Sequence, residues 1–225
     1  MELLLDIIRR AVVAVTLVAA GISDYKTREV DDRVWVVGGL ATAPLLLYLY
    51  AKGYYVLELH LLSLLLALLV ALLTQLARLT GEADAIALVF IGLFEPPVRT
   101  SLLCFMPPVT VVVAASVLAL FYALWNATVN IRRGALKVLE RQSLLMKMAA
   151  LLTMQYVTRE EYLARQYMYA VSSNEKGEPL LRVSPVEPPG NPPPLERFWA
   201  SVLLPYVALL AAGLLLYNLL CLLTL

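Results

Sequence analysis

Charged residues are scarce in this sequence. Only 16% of the 225 residues are Asp, Glu, Lys or Arg, whereas 61% are hydrophobic. A soluble domain has about 25% charged and about 45–50% apolar residues. The composition therefore predicts an all-α polytopic membrane protein whose partner is a lipid bilayer. The net charge of +1 gives no indication of a nucleic-acid partner.

Histidine and cysteine, the residues that most often bind zinc or iron–sulfur clusters, are nearly absent. The chain has one histidine, His60, which lies in an apolar run and is expected to be a packing residue. Its two cysteines, Cys104 and Cys221, lie far apart in separate apolar runs, and no CxxC motif is present. We expect both to be small core side chains and not a disulfide. The sequence predicts no metal and no other cofactor.

Six apolar runs mark candidate membrane-spanning helices, each of which needs about 20 mainly apolar residues. They cover residues 11–23, 34–51, 59–77, 85–94, 100–131 and 198–225. The first run reaches spanning length if its helix begins near Leu3 and if Arg9 and Arg10 extend their side chains to the near surface. The fourth is the shortest because Glu95, expected to be a solvated charge at the membrane edge, follows it. We expect the first helix to be retained and not cleaved as a signal peptide.

The apolar runs also predict how the chain is organised. Residues 1–130 would form transmembrane helices one to five, 131–197 a small cytoplasmic segment, and 198–225 helix six. In the cytoplasmic segment, Thr158 before two glutamates predicts a short helix and then a strand. The prolines of 179–194 predict an extended linker. With the N-terminus outside, 14 of the 18 Lys and Arg residues lie inside, which predicts a multi-pass protein of the cytoplasmic membrane.

Two aspartates, Asp24 and Asp84, each adjoin an apolar run at the inner surface in this topology. An acid beside hydrocarbon is costly and rare unless it has a function. Two neighbouring carboxyls do not ionise easily together and tend to share one proton. One carboxyl can then accept a proton from water while the other donates a proton to a carbonyl oxygen. This chemistry hydrolyses a peptide bond without serine, cysteine or metal.

Each acid near these runs also has an ordinary explanation. An aspartate in the first turn of a helix interacts favourably with the helix dipole, and Asp84 fits that description. Asp24 can be a solvated residue just past an apolar run. Asp31 and Asp32 are expected to cap helix two, a role in which aspartate is common. The catalytic interpretation therefore requires that Asp24 and Asp84 come together.

The sequence after Asp24 resembles the first motif of type IV prepilin peptidases, especially of their archaeal branch, the preflagellin (prearchaellin) peptidases. That motif has a catalytic aspartate followed at alternate positions by two basic residues, an aliphatic residue and an asparagine. Here Asp24 is followed by Lys26, Arg28 and Val30, and Asp32 stands at the asparagine position.

The sequence before Asp84 resembles the second motif of the same family, GxGD, which opens helix four. Gly81, Glu82, Ala83 and Asp84 occupy its positions, with alanine in place of the second glycine. The cysteine-rich insert that accompanies N-methyltransferase activity in the bacterial members is missing. The six-helix plan resembles the family over the whole chain, whereas agreement in sequence is confined to the two motifs.

The resemblance implies a membrane aspartyl endopeptidase in which Asp24 and Asp84 activate one water molecule. The motif residues that would support this pair are Gly81, Ala83, Lys26 and Arg28. Its substrates would be precursor pilins or archaellins with class III signal peptides, cut at the cytoplasmic face between a short basic leader and an apolar helix. Two alternatives stay open: a presenilin-like intramembrane aspartyl protease, and a small proton-coupled membrane transporter in which Asp84 relays protons.

Overall fold

The computed structural model describes residues 1–77, 81–98, 102–174, 177–180 and 192–222, with Leu102 described by its backbone alone. Within these residues it contains ten α-helices and one three-stranded β-sheet, and helix makes up 73% of the structure. The prediction of an all-α protein is therefore wrong in one region, the sheet. Most of the proline-rich linker predicted for 179–194 lies outside the described residues.

The elements follow one another along the chain as two long stretches of helix separated by a mixed region. In order they are α1 (Glu2–Thr27), α2 (Asp32–Ala51), α3 (Leu57–Leu76), α4 (Glu82–Phe94), α5 (Leu102–Phe105), α6 (Pro107–Arg132), α7 (Ala135–Val138), α8 (Leu144–Thr153), β1 (Met154–Thr158), α9 (Arg159–Ala164), β2 (Tyr169–Val171), β3 (Arg197–Val202) and α10 (Tyr206–Leu222). A 3-10 turn, Gln166–Met168, precedes β2. The chain divides into two compact units, the first formed by Met1–Leu118 and Pro205–Leu225 and the second by Ala119–Leu204.

In the part of the chain that the structure describes, three helices, α2, α3 and α6, are long and apolar enough to cross a membrane. Large apolar side chains on them, such as Leu40, Leu65 and Leu120, are exposed. Exposed apolar surface of this extent is typical of helices that contact lipid. The helices α4 and α10 are shorter, with 13 and 17 residues, and α1 carries internal charges. A count of six spans therefore stays a prediction.

Small residues and one histidine hold α3 against α4 in the first unit. A Cβ atom placed on Gly92 would lie 2.5 Å from the Cβ of Ala67, so the two helices approach more closely than larger side chains allow. The Nε2 atom of His60 on α3 lies 2.9 Å from the carbonyl oxygen of Gly92, and its Nδ1 atom bonds the Tyr50 hydroxyl. The prediction that His60 is a packing residue is confirmed.

A buried ion cluster, formed by Asp6, Arg9, Arg10 and Glu95, joins α1 to the end of α4. Arg9 lies 2.8 Å from Asp6 and 3.0 Å from Glu95, and Arg10 lies 3.1 and 3.2 Å from the same two acids. Arg9 and Glu95 have no exposed surface. The expectations that both arginines reach the surface and that Glu95 is solvated are therefore wrong. Two cations and two anions neutralise one another, which makes their burial tolerable.

Cys104 and Cys221 form a disulfide, with their Cα atoms 5.8 Å apart. The prediction of two separate core cysteines is wrong because the fold brings α5 beside the last turn of α10. The Tyr217 hydroxyl donates a hydrogen bond to the carbonyl oxygen of Cys104, at 3.2 Å, and reinforces this contact. Separation along the sequence gave no information about the distance between the two thiols.

The second unit is built around an antiparallel sheet with the strand order β1-β3-β2. Successive residues of a strand face opposite sides of a sheet. On the central strand, Trp199 packs in one core with Ala150 of α8, whereas Phe198 packs in another with Tyr162 of α9. Helices thus cover both faces of the sheet.

Two sequence predictions for the second unit have opposite outcomes. The short helix after Thr158 is confirmed as α9, because the Thr158 side chain accepts a hydrogen bond from the N–H of Glu161 and Glu161 bonds back to the N–H of Thr158. The start of helix six at residue 198 is wrong, since 198–202 belong to β3 and α10 begins at Tyr206. A short apolar run does not by itself distinguish a buried strand from a helix.

Candidate active site

Asp24 lies in the last turn of α1 and is buried, with 8% of its surface exposed. Its Oδ2 atom accepts hydrogen bonds from the backbone N–H groups of Val207, at 3.1 Å, and Ala208, at 3.4 Å. Both groups belong to the first turn of α10, where N–H groups have no partner within the helix and carry partial positive charge. The Asp24 carboxylate therefore caps the N-terminus of α10.

A close approach of α1 and α10 makes these hydrogen bonds possible. Gly21 lies one turn before Asp24, and a Cβ atom placed on it would be 2.8 Å from the Cα of Ala208. Any larger residue at this position would push α10 away from the Asp24 carboxylate. Neither Gly21 nor the start of α10 was predicted from the sequence. The available signal was Pro205, because proline is common where a helix begins.

Asp84 lies in the first turn of α4 and is half-buried. Its Oδ2 atom accepts a hydrogen bond from the N–H of Gly81, at 2.8 Å, so the carboxylate caps its own helix. The carbonyl oxygen of Gly81 in turn accepts a hydrogen bond from the side chain of Gln75, at 2.6 Å. The ordinary role expected of Asp84 at a helix start is therefore present. The hydrogen bond of this helix cap uses one of the two Asp84 carboxyl oxygens, Oδ2.

The structure brings Asp24 and Asp84 together at the N-terminus of α10. The N–H of Val207 that donates to Asp24 also lies close enough to Asp84 to lower the pKa of that carboxyl. The two carboxyls interact electrostatically, and Asp84 also interacts with Tyr206, the first residue of α10. Three helices, α1, α4 and α10, thus contribute to one polar site within the first unit.

Burial raises the pKa of both carboxyls, which lie at helix ends outside the apolar runs. The pKa of Asp84 rises to about 6 through burial and the nearby charge of Asp24, although the N–H of Gly81 opposes the change. Burial also raises the pKa of Asp24, opposed by the Arg28 guanidinium, 3.9 Å away, and by the N–H groups of α10. Each carboxyl has three groups that stabilise its anion, and the charge of Asp24 in addition raises the pKa of Asp84, which makes Asp84 the carboxyl that is more easily protonated.

The motif residues predicted to support the pair differ in their contacts. Arg28 is half-buried beside Asp24 and ends α1 with a left-handed backbone, φ 62°. Gly81 is the residue before α4 and donates to Asp84, and Ala83 is half-buried and packs on the core of the first unit. Lys26 is exposed. Arg28 and Gly81 are thus the two motif residues with contacts to the carboxyls.

The other acids near the site behave as ordinary helix-start residues. The Asp31 side chain accepts a hydrogen bond from the N–H of Arg33, at 2.8 Å, which confirms its predicted role as the cap of α2. Asp32 and Glu82 are the first residues of α2 and α4, and both are exposed. Among the described residues, no group of three or more His, Cys, Asp or Glu side chains is placed to hold a metal ion.

The arrangement of Asp24 and Asp84 is suited to acid–base chemistry on a water molecule. The backbone N–H groups and the guanidinium beside Asp24 favour the anion of that carboxyl, and the pKa of Asp84 is raised to about 6. The sequence was compared with models of known protein families and with curated proteins, and neither comparison gave a match.

Proposed function

We propose that this protein is a membrane aspartyl endopeptidase that removes the basic leader from pilin or archaellin precursors, with Asp24 and Asp84 as its catalytic pair. The observation that carries the proposal is the position of both carboxyls at the N-terminus of α10, where one N–H, that of Val207, acts on both. The resemblance of the two motifs to prepilin peptidases supports the same pair and indicates the substrate class.

In the proposed mechanism, Asp24 is the general base and Asp84 the general acid. The Asp24 carboxylate accepts a proton from water as the water oxygen attacks the scissile carbonyl carbon. Asp84 donates its proton to the carbonyl oxygen, which gives a neutral gem-diol. Asp24 then delivers its proton to the amide nitrogen while Asp84 takes a proton back from a gem-diol hydroxyl. The C–N bond breaks, and the pair returns to its starting protonation state.

The basic leader of the proposed substrate is opposite in charge to the residues around Asp24 and Asp84. The loop between α1 and α2 and the start of α4 expose four acidic residues near the two carboxyls: Glu29, Asp31, Asp32 and Glu82. Such residues attract a basic leader, an effect that salt weakens. The apolar helix of the precursor stays in the bilayer, so the junction between leader and helix is presented at the depth of Asp24 and Asp84.

The proposed topology has six spanning helices, with the N-terminus outside and the catalytic pair at the cytoplasmic face. The disulfide supports this orientation. Cys221 follows Val207 by 14 residues of α10, which is a distance of about 21 Å along the helix. With Val207 at the inner surface, Cys221 lies past the middle of a hydrocarbon core about 30 Å thick, toward the oxidising side of the membrane, where disulfides persist. The opposite end of α10, with Asp24 and Asp84, then faces the cytoplasm.

Cleavage of a precursor by the purified protein tests the proposal. The protein is reconstituted in bilayers and incubated with a peptide that has a basic leader followed by an apolar helix, and the products are identified by mass spectrometry. We expect a cut at the junction that a chelator and serine- or thiol-directed reagents leave unchanged. An intact precursor contradicts the proposal, and strong inhibition by the chelator indicates a metal site instead.

The rate of cleavage is expected to depend on pH through the coupled pair. Raising the pH through about 6 removes the proton that Asp84 must donate, so the rate falls on the basic side. The cation of Arg28 lowers the pKa of both carboxyls. In Arg28→Gln, the fall in rate on the basic side of the pH profile, its basic limb, is therefore expected to occur at higher pH. Arg28→Lys keeps the charge and leaves this basic limb close to its original position. A limb that moves to lower pH in Arg28→Gln contradicts this assignment.

A proton-coupled transporter is the second candidate, because the buried ion cluster places four charged residues among the helices. Ionisable residues inside a membrane often mark a proton path. In this cluster, however, each arginine contacts both acids, which is the arrangement of a structural network. The test is proton flux into vesicles that contain the protein. A flux that stays the same in a variant without cleavage activity would favour the transporter.

A further inference from the structure

The second unit exposes an apolar surface on α7 and α8 that its own sheet does not cover. Five large side chains contribute to it: Leu136, Val138, Leu144, Leu145 and Met148. Leu144 and Leu145 are 75% and 77% exposed, among the highest values for large apolar side chains in the described residues. Leaving such side chains in water is unfavourable, because each gains roughly 1.5–3 kcal/mol on full burial.

The geometry of α8 separates this apolar face from the face that packs on the sheet. Leu144, Leu145 and Met148 lie on one side of the helix at spacings of one and four residues, whereas Ala150 lies on the opposite side. Ala150 is fully buried in the core with Trp199. The Ser143 hydroxyl caps the helix by accepting a hydrogen bond from the N–H of Met146, at 3.3 Å. The exposed leucines therefore belong to a well-formed amphipathic helix.

Basic residues surround the exposed apolar side chains. Between residues 132 and 149 the sequence has five basic residues, Arg132, Arg133, Lys137, Arg141 and Lys147, and one acid, Glu140. Lys137 and Arg141 are exposed, in the segment that carries the apolar side chains. We call the exposed apolar residues together with Lys137, Arg141 and Lys147 the α7–α8 surface. An apolar face bordered by basic residues is the pattern of a helix that lies on a membrane.

The connection to α6 places this surface at the right depth. The 26 residues of α6 form a helix about 39 Å long, and a bilayer with its headgroups is about 40–45 Å thick. If α6 crosses the membrane, Arg132 therefore leaves it within the headgroup layer. Asn126 and Asn130 of α6 both donate to the carbonyl oxygen of Met154, at 2.7 Å, which fixes the end of α8 beside the inner end of α6.

We propose that the α7–α8 surface docks on the cytoplasmic surface of a bilayer that contains anionic phospholipid. Leu144, Leu145 and Met148 enter the boundary between headgroups and acyl chains, and Lys137, Arg141 and Lys147 contact lipid phosphates. The apolar contact and the charge attraction act together, as in other interfacial helices. The inference requires that α6 crosses the membrane and does not depend on peptidase activity.

A probe at residue 145 tests the docking directly. Leu145→Cys is labelled with an environment-sensitive fluorophore, a selective reaction because both native cysteines are in the disulfide. The matched control is a label on Glu160→Cys, an exposed position on α9 of the same unit. In nanodiscs of equal parts phosphatidylcholine and phosphatidylglycerol, we expect iodide to quench the label at 145 several-fold less than the label at 160. Equal quenching at both positions overturns the proposal.

The charge requirement is tested with the same label. Replacing Lys137 and Arg141 with Gln is expected to weaken the docked state by roughly fivefold for each residue, which increases quenching at 145. Arg159→Gln with Arg165→Gln, which changes two exposed basic residues outside the surface, is the matched control and leaves quenching unchanged. The proposal is overturned if protection of the label at 145 from iodide does not depend on lipid charge, or if it rises with the density of protein. Either result indicates that another protein chain covers the surface.

Discussion

Replacing Asp24 or Asp84 with Asn is expected to reduce leader cleavage by about 10²- to 10⁴-fold, the usual contribution of a positioned acid or base. Asparagine has nearly the same size and its side-chain oxygen still accepts the hydrogen bonds from Val207 or Gly81. The helices therefore stay in place while the proton transfer is lost. Initial rates with a fixed precursor measure the effect, and gel filtration in detergent shows that the variants remain folded.

The double variant distinguishes a catalytic pair from two separate contributions. If both carboxyls act on one water molecule, Asp24→Asn combined with Asp84→Asn loses no more activity than either single change. Glu58→Gln, which changes an exposed acid in the first turn of α3, is the control for a helix-start carboxyl and keeps its activity. Full activity in either single variant contradicts the assignment of the pair.

Glu95→Gln is expected to destabilise the first unit by about 3–5 kcal/mol, the usual cost of removing one partner from a buried ion pair. The change leaves the guanidinium groups of Arg9 and Arg10 with one buried acid, Asp6, in place of two. Arg10 precedes Asp24 by 14 residues of α1, or about 21 Å, and the hydrocarbon core is about 30 Å thick. In the proposed topology, which has Asp24 at the inner surface, the ion cluster lies at the depth of hydrocarbon, where water does not hydrate it.

Thermal unfolding in detergent measures this loss, and a decrease in Tm of roughly 10 °C is expected for a chain of this size. The control is Glu161→Gln in the partly exposed pair between Arg133 and Glu161, whose charged atoms are 3.0 Å apart. That pair is exposed to solvent and contributes less than about 1 kcal/mol. A decrease in Tm for Glu95→Gln no larger than for Glu161→Gln would mean that the ion cluster does not hold α1 to α4.

Much of the helical fold follows from hydropathy alone. Long apolar runs predicted α2, α3 and α6. Residue types typical of helix starts predicted the Asp31 cap of α2 and, after Thr158, the helix α9. The strand predicted after α9 is confirmed as β2, whereas β3 was missed because it is a short apolar segment, Phe198-Trp199-Ala200, which continues without a charge into the apolar run of α10. The burial of both its faces removes the alternation of polar and apolar residues that identifies a strand.

The site could be predicted only in part. The two aspartates carry a sequence signal because each is a charge beside an apolar run. Of the groups that surround them, Arg28 and Gly81 were predicted from the motifs, whereas the N–H groups of Val207 and Ala208 were not, since they belong to the backbone of a distant helix. The ion cluster was missed for a similar reason. Arg9 and Glu95 look like edge charges in the sequence, and only the packing of α1 against α4 makes them partners.

Cross-linking of residues 24 and 84 tests most directly whether the two carboxyls converge. Asp24→Cys combined with Asp84→Cys is treated in bilayers with a short reagent that bridges two thiols, and Asp24→Cys with Glu82→Cys is the control. The native cysteines do not react because they form a disulfide. We expect one bridge per chain in the 24/84 variant and none in the control. Separate modification of both thiols in the 24/84 variant, with and without precursor, would contradict a shared catalytic site.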